Sequence, residues 1–91
     1  MSVTVRVPTP LRKSVGGAKD VRADGTTLVD LIGDLERQYP GLRDRLCEED
    51  GSLRRFMNFY VNGEDIRYAQ GIDTALKDGD ELSIIPAVSG G

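Results

Sequence analysis

The residue types that most often carry catalysis are scarce in this chain. It has no histidine and one cysteine, Cys47, which lies in the polar run CEEDG at residues 47–51. A single thiol cannot form a disulfide within the chain or hold an iron–sulfur cluster, and without histidine it lacks its usual general base. We therefore expect Cys47 to be a loop or helix-end residue. We also expect no catalytic residue, no metal site and no cofactor held by the chain itself.

The last six residues, PAVSGG at 86–91, form the most unusual segment of the sequence. With glycine at 11 of 91 positions, two terminal glycines would arise by chance in about 1 to 2% of chains of this composition. A frayed end without function is therefore disfavoured. Gly90 and Gly91 lack a Cβ, so they make the end of the chain both narrow and conformationally free.

Size and charge exclude several classes of function. A chain of 91 residues suits one domain with a modest core, and it leaves little room for an enclosed active site. Its 12 basic and 15 acidic residues give a net charge of −3 without blocks of one sign, which disfavours nucleic acid as a partner. No stretch approaches the ~20 apolar residues of a membrane span, and the N-terminus does not read as a signal peptide. We expect a soluble, cytoplasmic protein with no membrane partner.

The first half of the sequence predicts two strands and then a helix. Valines alternate with polar residues at 3–7, as in a half-buried strand, and a weaker run at 18–23 suits its hairpin partner. Thr27 can cap a helix, with Asp30 completing a variant of the capping box, and the pair Pro40-Gly41 ends that helix. The apolar residues at helical spacing are Leu28, Leu31, Ile32, Leu35 and Tyr39.

The second half predicts a hairpin and a last strand. Residues 41–55 are polar, and we place them as an excursion over the surface with a short helical turn at 42–46. The run FMNFYV at 56–61 is followed by Asn62-Gly63, a pair that tolerates the positive φ of a type I′ hairpin turn. After short turns, residues 81–85 read as a strand long enough to lie centrally in a sheet.

The order of these elements is strand, strand, helix, strand, short strand, strand. It predicts an α+β fold of the β-grasp type, in which a mixed sheet packs on one main helix. We assign residues 1–86 to this domain and residues 87–91 to a flexible C-terminal tail.

Three segments of the second half resemble the MoaD/ThiS family of ubiquitin-like sulfur carriers. They are VNGE at 61–64, ALKDGDEL at 75–82 and IIPAVSGG at 84–91. The N-terminal valine strand and the single helix fit the same family, so the resemblance covers nearly the whole chain. Within the family, the length, the run at 56–61 and the PAVSGG ending are most similar to the carriers of cysteine biosynthesis.

The resemblance implies a function for the terminal glycines. In such carriers an ATP-using E1-like enzyme adenylates the terminal carboxylate, here that of Gly91, and a sulfur donor then converts it to a thiocarboxylate. The thiocarboxylate gives its sulfur to a biosynthetic enzyme, such as a cysteine synthase or a thiosugar or thiazole synthase. ATP is thus used by the activating partner, and the chain is a protein co-substrate and not an enzyme. Val88, Ser89 and Gly90 would thread into the partner's cleft.

A carrier also needs a docking surface for its partners. If Met57, Phe59 and Val61 face the helix together with Leu82 and Ile84, alternation turns a second set of side chains outward. The residues of this predicted docking patch are Phe56, Tyr60 and Ile85. A one-residue error in register would exchange the two sets and place the patch in the core.

Two other functions stay open at this point. The protein could be a ubiquitin-like modifier joined through Gly91 to lysines of other proteins, which would give conjugates of higher mass that resist reductant. It could also be the small subunit of a molybdopterin synthase, which would co-purify with one large subunit. The final sulfur acceptor, cysteine or another sulfur-containing metabolite, is open as well.

Overall fold

The computed structural model describes residues 2–86, which form a five-stranded sheet with a main helix on one face. The strands are β1 (Ser2–Arg6), β2 (Asp20–Asp24), β3 (Met57–Val61), β4 (Glu64–Asp65) and β5 (Glu81–Pro86). The α-helices are α1 (Leu28–Gln38) and α2 (Leu42–Leu46). Short 3₁₀ helices span Thr9–Val15, Ile66–Tyr68 and Gly71–Asp73.

The order of strands across the sheet is β2-β1-β5-β3-β4. β1 and β5 lie side by side in parallel, and the other neighbouring pairs are antiparallel. Parallel neighbours need a long crossover connection, and the chain between them supplies it with α1. The predicted β-grasp fold, with its mixed sheet and its last strand in the centre, is confirmed.

α1 begins where the sequence predicts, because Thr27 caps it. The Thr27 hydroxyl accepts a hydrogen bond from the backbone N–H of Asp30 at 3.3 Å, which satisfies one of the free donors of the first turn. The Asp30 carboxylate accepts a hydrogen bond from the Thr26 hydroxyl at 3.0 Å. This contact stands in place of the bond to the Thr27 N–H that a complete capping box would have.

The inner face of α1 fills the core beneath the sheet. Each side chain of this size that is buried contributes about 1.5–3 kcal/mol relative to an exposed one. The residues that α1 buries are Leu28, Leu31, Ile32 and Leu35. The chain enters α1 through Gly25, where a Cβ would lie 2.5 Å from the backbone nitrogen of Leu31, so this close approach requires glycine. Within residues 2–86, no helix is both long enough and apolar enough to cross a membrane.

The connection between β1 and β2 contains a 3₁₀ helix that the sequence analysis missed. It spans Thr9–Val15 and buries Leu11 and Val15 in the core. Gly16 ends it at a φ of 69°, a left-handed conformation that glycine adopts without strain. The segment is too short to show the repeated apolar spacing from which helices are predicted. Its two buried side chains nevertheless hold it against the body of the protein.

The stretch at 41–55 is more than an excursion over the surface. α2 forms at the predicted helical turn, and Leu42, Leu46 and Cys47 are all buried. The prediction is wrong for these residues because positions 42 and 46 lie on the same side of a helical turn, which faces the core. The polar residues between and after them stay exposed.

Asn62 and Gly63 make the tight turn between β3 and β4. Their φ values are 52° and 87°, both positive, as a type I′ turn requires. β3 begins at Met57, whose N–H donates to the Arg54 carbonyl oxygen at 3.1 Å. Phe56, the first residue of the predicted run at 56–61, therefore lies in the turn before the strand.

Candidate functional site

The site is the end of the sheet at which β5 finishes. β5 lies between β1 and β3 and ends at Pro86, five residues before Gly91. The predicted tail residues Val88, Ser89, Gly90 and Gly91 lie outside the described residues. Their roles in threading and adenylation therefore stay predictions. The site is therefore built from the surroundings of Pro86 within residues 2–86.

The opposite end of β5 is fixed by hydrogen bonds from the Asn62 side chain. Asn62 donates from Nδ2 to the Asp80 carboxylate at 2.9 Å, and its Oδ1 accepts from the backbone N–H of Glu81 at 3.0 Å. The other carboxylate oxygen of Asp80 accepts from the backbone N–H of Lys77 at 2.8 Å. These bonds join the β3–β4 turn to the turn that precedes β5. The first residue of the strand that leads to the tail is thereby held in place.

Two residues of the predicted docking patch, Tyr60 and Ile85, lie on the outer face of β3 and β5, and the third, Phe56, lies just before β3. The pairing register puts Ile85 opposite Asn58 and Tyr60 opposite Ser83, so both patch residues in the strands point away from α1. Ile85 is 49% exposed and Phe56 is 62% exposed, whereas Tyr60 is partly buried. Phe56 precedes Met57, which pairs with Pro86. The patch therefore borders the point at which the described chain ends.

The inward set confirms the predicted register of the sheet. Phe59, Leu82 and Ile84 are each at most 4% exposed, and Met57 and Val61 are partly buried against the same core. Because neighbouring residues of a strand point to opposite faces, this burial fixes the outward set as well. Whether the outward set binds a partner is a separate question, and the docking role stays a prediction.

A groove of about 520 Å³ lies beside the end of β5, and the sequence analysis did not predict it. One wall is the chain that follows β1, from Arg6 to Arg12, and the other is the last part of β5, with Ile85 and Pro86. Pro8 and Pro10 form part of the lining. The groove is thus continuous with the docking patch through Ile85.

Two arginines give the groove a positive charge. Arg6 makes an ion pair with Glu81 at 2.8 Å, and its side chain is 62% exposed. Arg12 is half-buried, and its Nε donates to the Val7 carbonyl oxygen at 3.1 Å. The alternation of buried and outward side chains along β1 was a signal from which Arg6 could have been predicted to lie on the outer face. The position of Arg12 beside the end of β5 could not be predicted from a local pattern. Arg12 lies in the 3₁₀ helix Thr9–Val15, which the sequence did not predict.

Cys47 is a buried residue at the end of α2. It is 6% exposed, and its N–H donates to the Arg43 carbonyl oxygen at 2.7 Å, which closes the last turn of the helix. Burial raises the pKa of the Cys47 thiol, so it is protonated at neutral pH. A protonated, buried thiol is a poor nucleophile, in keeping with the predicted structural role.

Comparison with known proteins extends this description to the whole chain. Residues 5–91 match the model of the ThiS family. The chain is 50% identical over 93 residues to the sulfur carrier protein CysO of Mycobacterium tuberculosis, and the match covers 100% of both proteins. It is 41% identical over 68 residues to small archaeal modifier protein 3 of Haloferax volcanii, which covers 75% of this chain and 73% of that protein.

The fold is also similar to a solved structure. A chain of the BexX/CysO complex of Amycolatopsis orientalis matches with a TM-score of 0.91 and 48% sequence identity. The match covers 98% of this chain and 99% of that chain. The likeness therefore includes the end of β5 and its surroundings.

Proposed function

Because this chain belongs to the ThiS family, we propose that its reactive group is the terminal carboxylate of Gly91. The chain is a sulfur carrier protein, and its similarity to the cysteine-biosynthesis carriers is confirmed by the full-length match to CysO. A carrier of this kind is a substrate of enzymes and not itself an enzyme. The single observation that carries the proposal is this full-length match, which includes the Gly-Gly ending.

The proposed chemistry has two steps at the end of the chain. The Gly91 carboxylate attacks the α-phosphorus of ATP in an E1-like enzyme, and pyrophosphate leaves. A sulfur nucleophile at the oxidation level of hydrosulfide then attacks the carbonyl carbon, and AMP leaves. The product is a thiocarboxylate, which passes its sulfur to an acceptor in the synthesis of cysteine or another sulfur-containing metabolite. The catalytic groups belong to the partners.

The structure supports this chemistry by the position of Pro86, the last residue that it describes. Pro86 is the last residue of a strand that is bonded on both sides and anchored at its start. Residues 87–91 can extend at most about 16 Å beyond it, at ~3.3 Å per residue. This length is enough to carry a carboxylate into a cleft of another protein. Gly90 and Gly91 present no Cβ to the walls of such a cleft.

We place the adenylating enzyme on the docking patch that borders this exit. Exposed apolar side chains in one continuous area suit a partner protein. Ile85 supplies such a side chain on the outer face of the sheet next to Tyr60, and exposed Phe56 supplies another just before β3. An enzyme bound there would have the tail within reach of its active site.

The proposal is tested by the intact mass of the protein purified from its own cells. Replacement of one terminal oxygen by sulfur adds roughly 16 Da, which is close to the mass added by oxidation of Met1 or Met57. Fragmentation and thiol-selective alkylation must therefore localise the change. We expect an alkylatable gain confined to Gly91, and its yield should rise on incubation with ATP, the adenylating enzyme and hydrosulfide.

A chain that ends at Gly90 is the matched control, because it keeps the fold and lacks the last residue. It should acquire much less alkylatable sulfur under the same conditions. Sulfur gained equally by both chains would contradict the assignment to Gly91. Higher-mass conjugates that resist reductant, on an otherwise unmodified Gly91, would favour the modifier function suggested by the archaeal relative.

A further inference from the structure

We propose that the groove beside Pro86 binds an acidic segment of the adenylating enzyme, through the guanidinium groups of Arg6 and Arg12. The proposal rests on the proposed function, because it takes that enzyme as the partner. It adds a charged contact to the apolar docking patch and assigns a binding role to two residues outside that patch.

The lining of the groove favours a negatively charged ligand. It contains two arginines and no aspartate or glutamate. The whole chain carries a net charge of −3, whereas the charged residues of this lining are both basic, and Glu81 pairs with one of them, Arg6, from outside the lining. Complementary charges at an interface fix the orientation of the partner and raise the rate of association. Guanidinium groups match the geometry of carboxylates and phosphates, and in a partner protein the carboxylates of aspartate and glutamate supply that geometry.

Arg12 is held ready for such a ligand. Its Nε is occupied by the Val7 carbonyl oxygen, which fixes the plane of the guanidinium and leaves the two terminal nitrogens. Within residues 2–86, Arg12 makes no ion pair. The 3₁₀ helix that carries it is anchored by buried Leu11 and Val15. Little side-chain freedom is therefore left to lose on binding.

Arg6 keeps part of its hydrogen-bonding capacity despite its ion pair. Glu81 accepts from Nε and from Nη2, so Nη1 stays available. The pair is exposed and contributes little to stability by itself. Its main effect is to orient the guanidinium on the outer face of the sheet, where Arg6 lies beside Ser83.

The position of the groove favours a partner that encloses the C-terminal tail, as the adenylating enzyme must. Pro86 lines the groove, and at most about 16 Å of chain separates it from the terminal carboxylate. An enzyme that encloses Gly91 must therefore lie close to the groove. The segment that fills it would belong to the rim of the cleft that receives the tail.

The test is the steady-state kinetics of adenylation by the purified E1-like enzyme of the same organism, with ATP and Mg²⁺. Loss of one charge-assisted hydrogen bond changes affinity about tenfold. We expect Arg12→Gln to raise the KM for the carrier about tenfold and Arg6→Gln about three- to tenfold, with kcat unchanged. Arg12→Glu should have a larger effect than Arg12→Gln. The KM of the wild-type chain should rise more steeply with salt than that of either glutamine variant.

Two controls separate the charge from structural damage. Glu81→Gln breaks the same ion pair as Arg6→Gln but keeps the guanidinium, so its KM should stay at or below the wild-type value. Arg45→Gln removes an exposed charge on α2, away from the groove, and should leave KM unchanged. Thermal unfolding of each variant checks that it folds, and Arg12→Lys should recover part of the loss.

The outcomes distinguish the two proposals. If the wild-type chain is adenylated and the Arg6 and Arg12 variants match Arg45→Gln, the groove proposal is overturned and the proposed function stands. A rise in KM for Glu81→Gln equal to that for Arg6→Gln also overturns it. If the wild-type chain is not adenylated at all, both proposals fail.

Discussion

At the scale of single residues, the proposed function depends on the absence of a side chain at Gly90 and Gly91. A side chain at position 90 must enter the same narrow cleft as the reacting carboxylate. Overpacking of a fitted site costs about 1–3 kcal/mol, which is roughly 5- to 150-fold in rate or affinity. We expect Gly90→Val to lower kcat/KM for adenylation by about this factor, measured by release of pyrophosphate.

The control for this substitution is Ser89→Ala, which makes a neighbouring side chain smaller. It should be adenylated at nearly the wild-type rate. Both variants should unfold at the wild-type temperature, since neither position belongs to the sheet of residues 2–86. Equal rates for Gly90→Val and the wild-type chain would show that the cleft tolerates a side chain there.

Ile85 tests the docking patch at the same scale. Its side chain is half-exposed beside the end of the chain, so a charge there costs the fold little and must be desolvated in an apolar interface. We expect Ile85→Glu to raise the KM for adenylation about tenfold or more, with Tyr60→Glu acting in the same direction. The readout is adenylation as a function of carrier concentration.

Val29 supplies the matched control for Ile85. It is 43% exposed and lies on α1, away from the patch. Val29→Glu should therefore leave KM unchanged while it adds the same charge to a similarly exposed apolar position. An equal rise in KM for Val29→Glu and Ile85→Glu would mean that net charge, and not the patch, sets the affinity.

At the scale of elements, α1 protects the free edge of the sheet. β2 is an edge strand, and such strands present unpaired backbone groups that can bind another chain. Two side chains of α1 occupy these groups. The Asp34 carboxylate accepts from the Asp24 N–H at 2.9 Å, and the Gln38 amide donates to the Arg22 carbonyl oxygen at 3.0 Å. α1 therefore does two things: its inner face packs in the core, and its side chains cover the free backbone groups of β2.

This link makes stability depend on pH through Asp34. The Asp24 N–H, and then Arg37, lower the pKa of the Asp34 carboxyl below its usual value. A lowered folded-state pKa stabilises the protein fully above the unfolded pKa of about 3.9 and loses that effect as the pH falls through the folded value. We expect Asp34→Asn to lower the free energy of unfolding at pH 7 and to reduce the loss of stability between about pH 4 and pH 2.

Urea unfolding at several pH values measures this effect. Asp73→Asn, which changes an exposed carboxyl in another part of the chain, is the comparison. It should follow the wild-type pH profile more closely than Asp34→Asn does. If Asp34→Asn and the wild-type chain had identical pH profiles, Asp34 would not contribute to the loss of stability in acid.

At the scale of the whole molecule, the parts of the fold that could be predicted are those with local signals. Alternating apolar residues gave β1, β3 and β5, the Thr27 cap gave the start of α1, and Asn62-Gly63 gave the turn. Each signal acts within a few residues of the structure that it produces. The inward and outward faces of β3 and β5 followed, because only one of the two alternations buries Phe59 together with Leu82 and Ile84.

The candidate site was predicted only in part, because it joins segments that are far apart in the sequence. Ile85 and Tyr60 could be placed by alternation, but Arg12 meets the end of β5 through a 3₁₀ helix that has no repeated pattern. Leu42 and Leu46 likewise joined the core through a helix of five residues. Short helices depend on contacts with residues far away in the sequence for their stability. Those contacts cannot be predicted from the residues of the helix alone.

The division into a domain and a tail is the last prediction. β5 keeps its final pairs with β3 as far as Pro86, where Met57 lies opposite. The pairs of β5 that the structure describes all lie at or before Pro86. A chain that ends at Pro86 should therefore unfold within about 4 °C of the full chain, since surface changes away from packed features alter stability by at most about 0.5 kcal/mol.

A chain that ends at Ile84 is the contrast, because it also removes the pairs of Ile85 with Asn58 and of Pro86 with Met57. It should unfold at a clearly lower temperature, while both truncated chains should accept no sulfur. Thermal unfolding by circular dichroism and thiol-selective alkylation give the two readouts. A large loss of stability on removal of residues 87–91 alone would show that the tail contributes to the fold. The reactive end and the folded body would then not be separable, and a substitution such as Gly90→Val would have to be judged on stability as well as on adenylation.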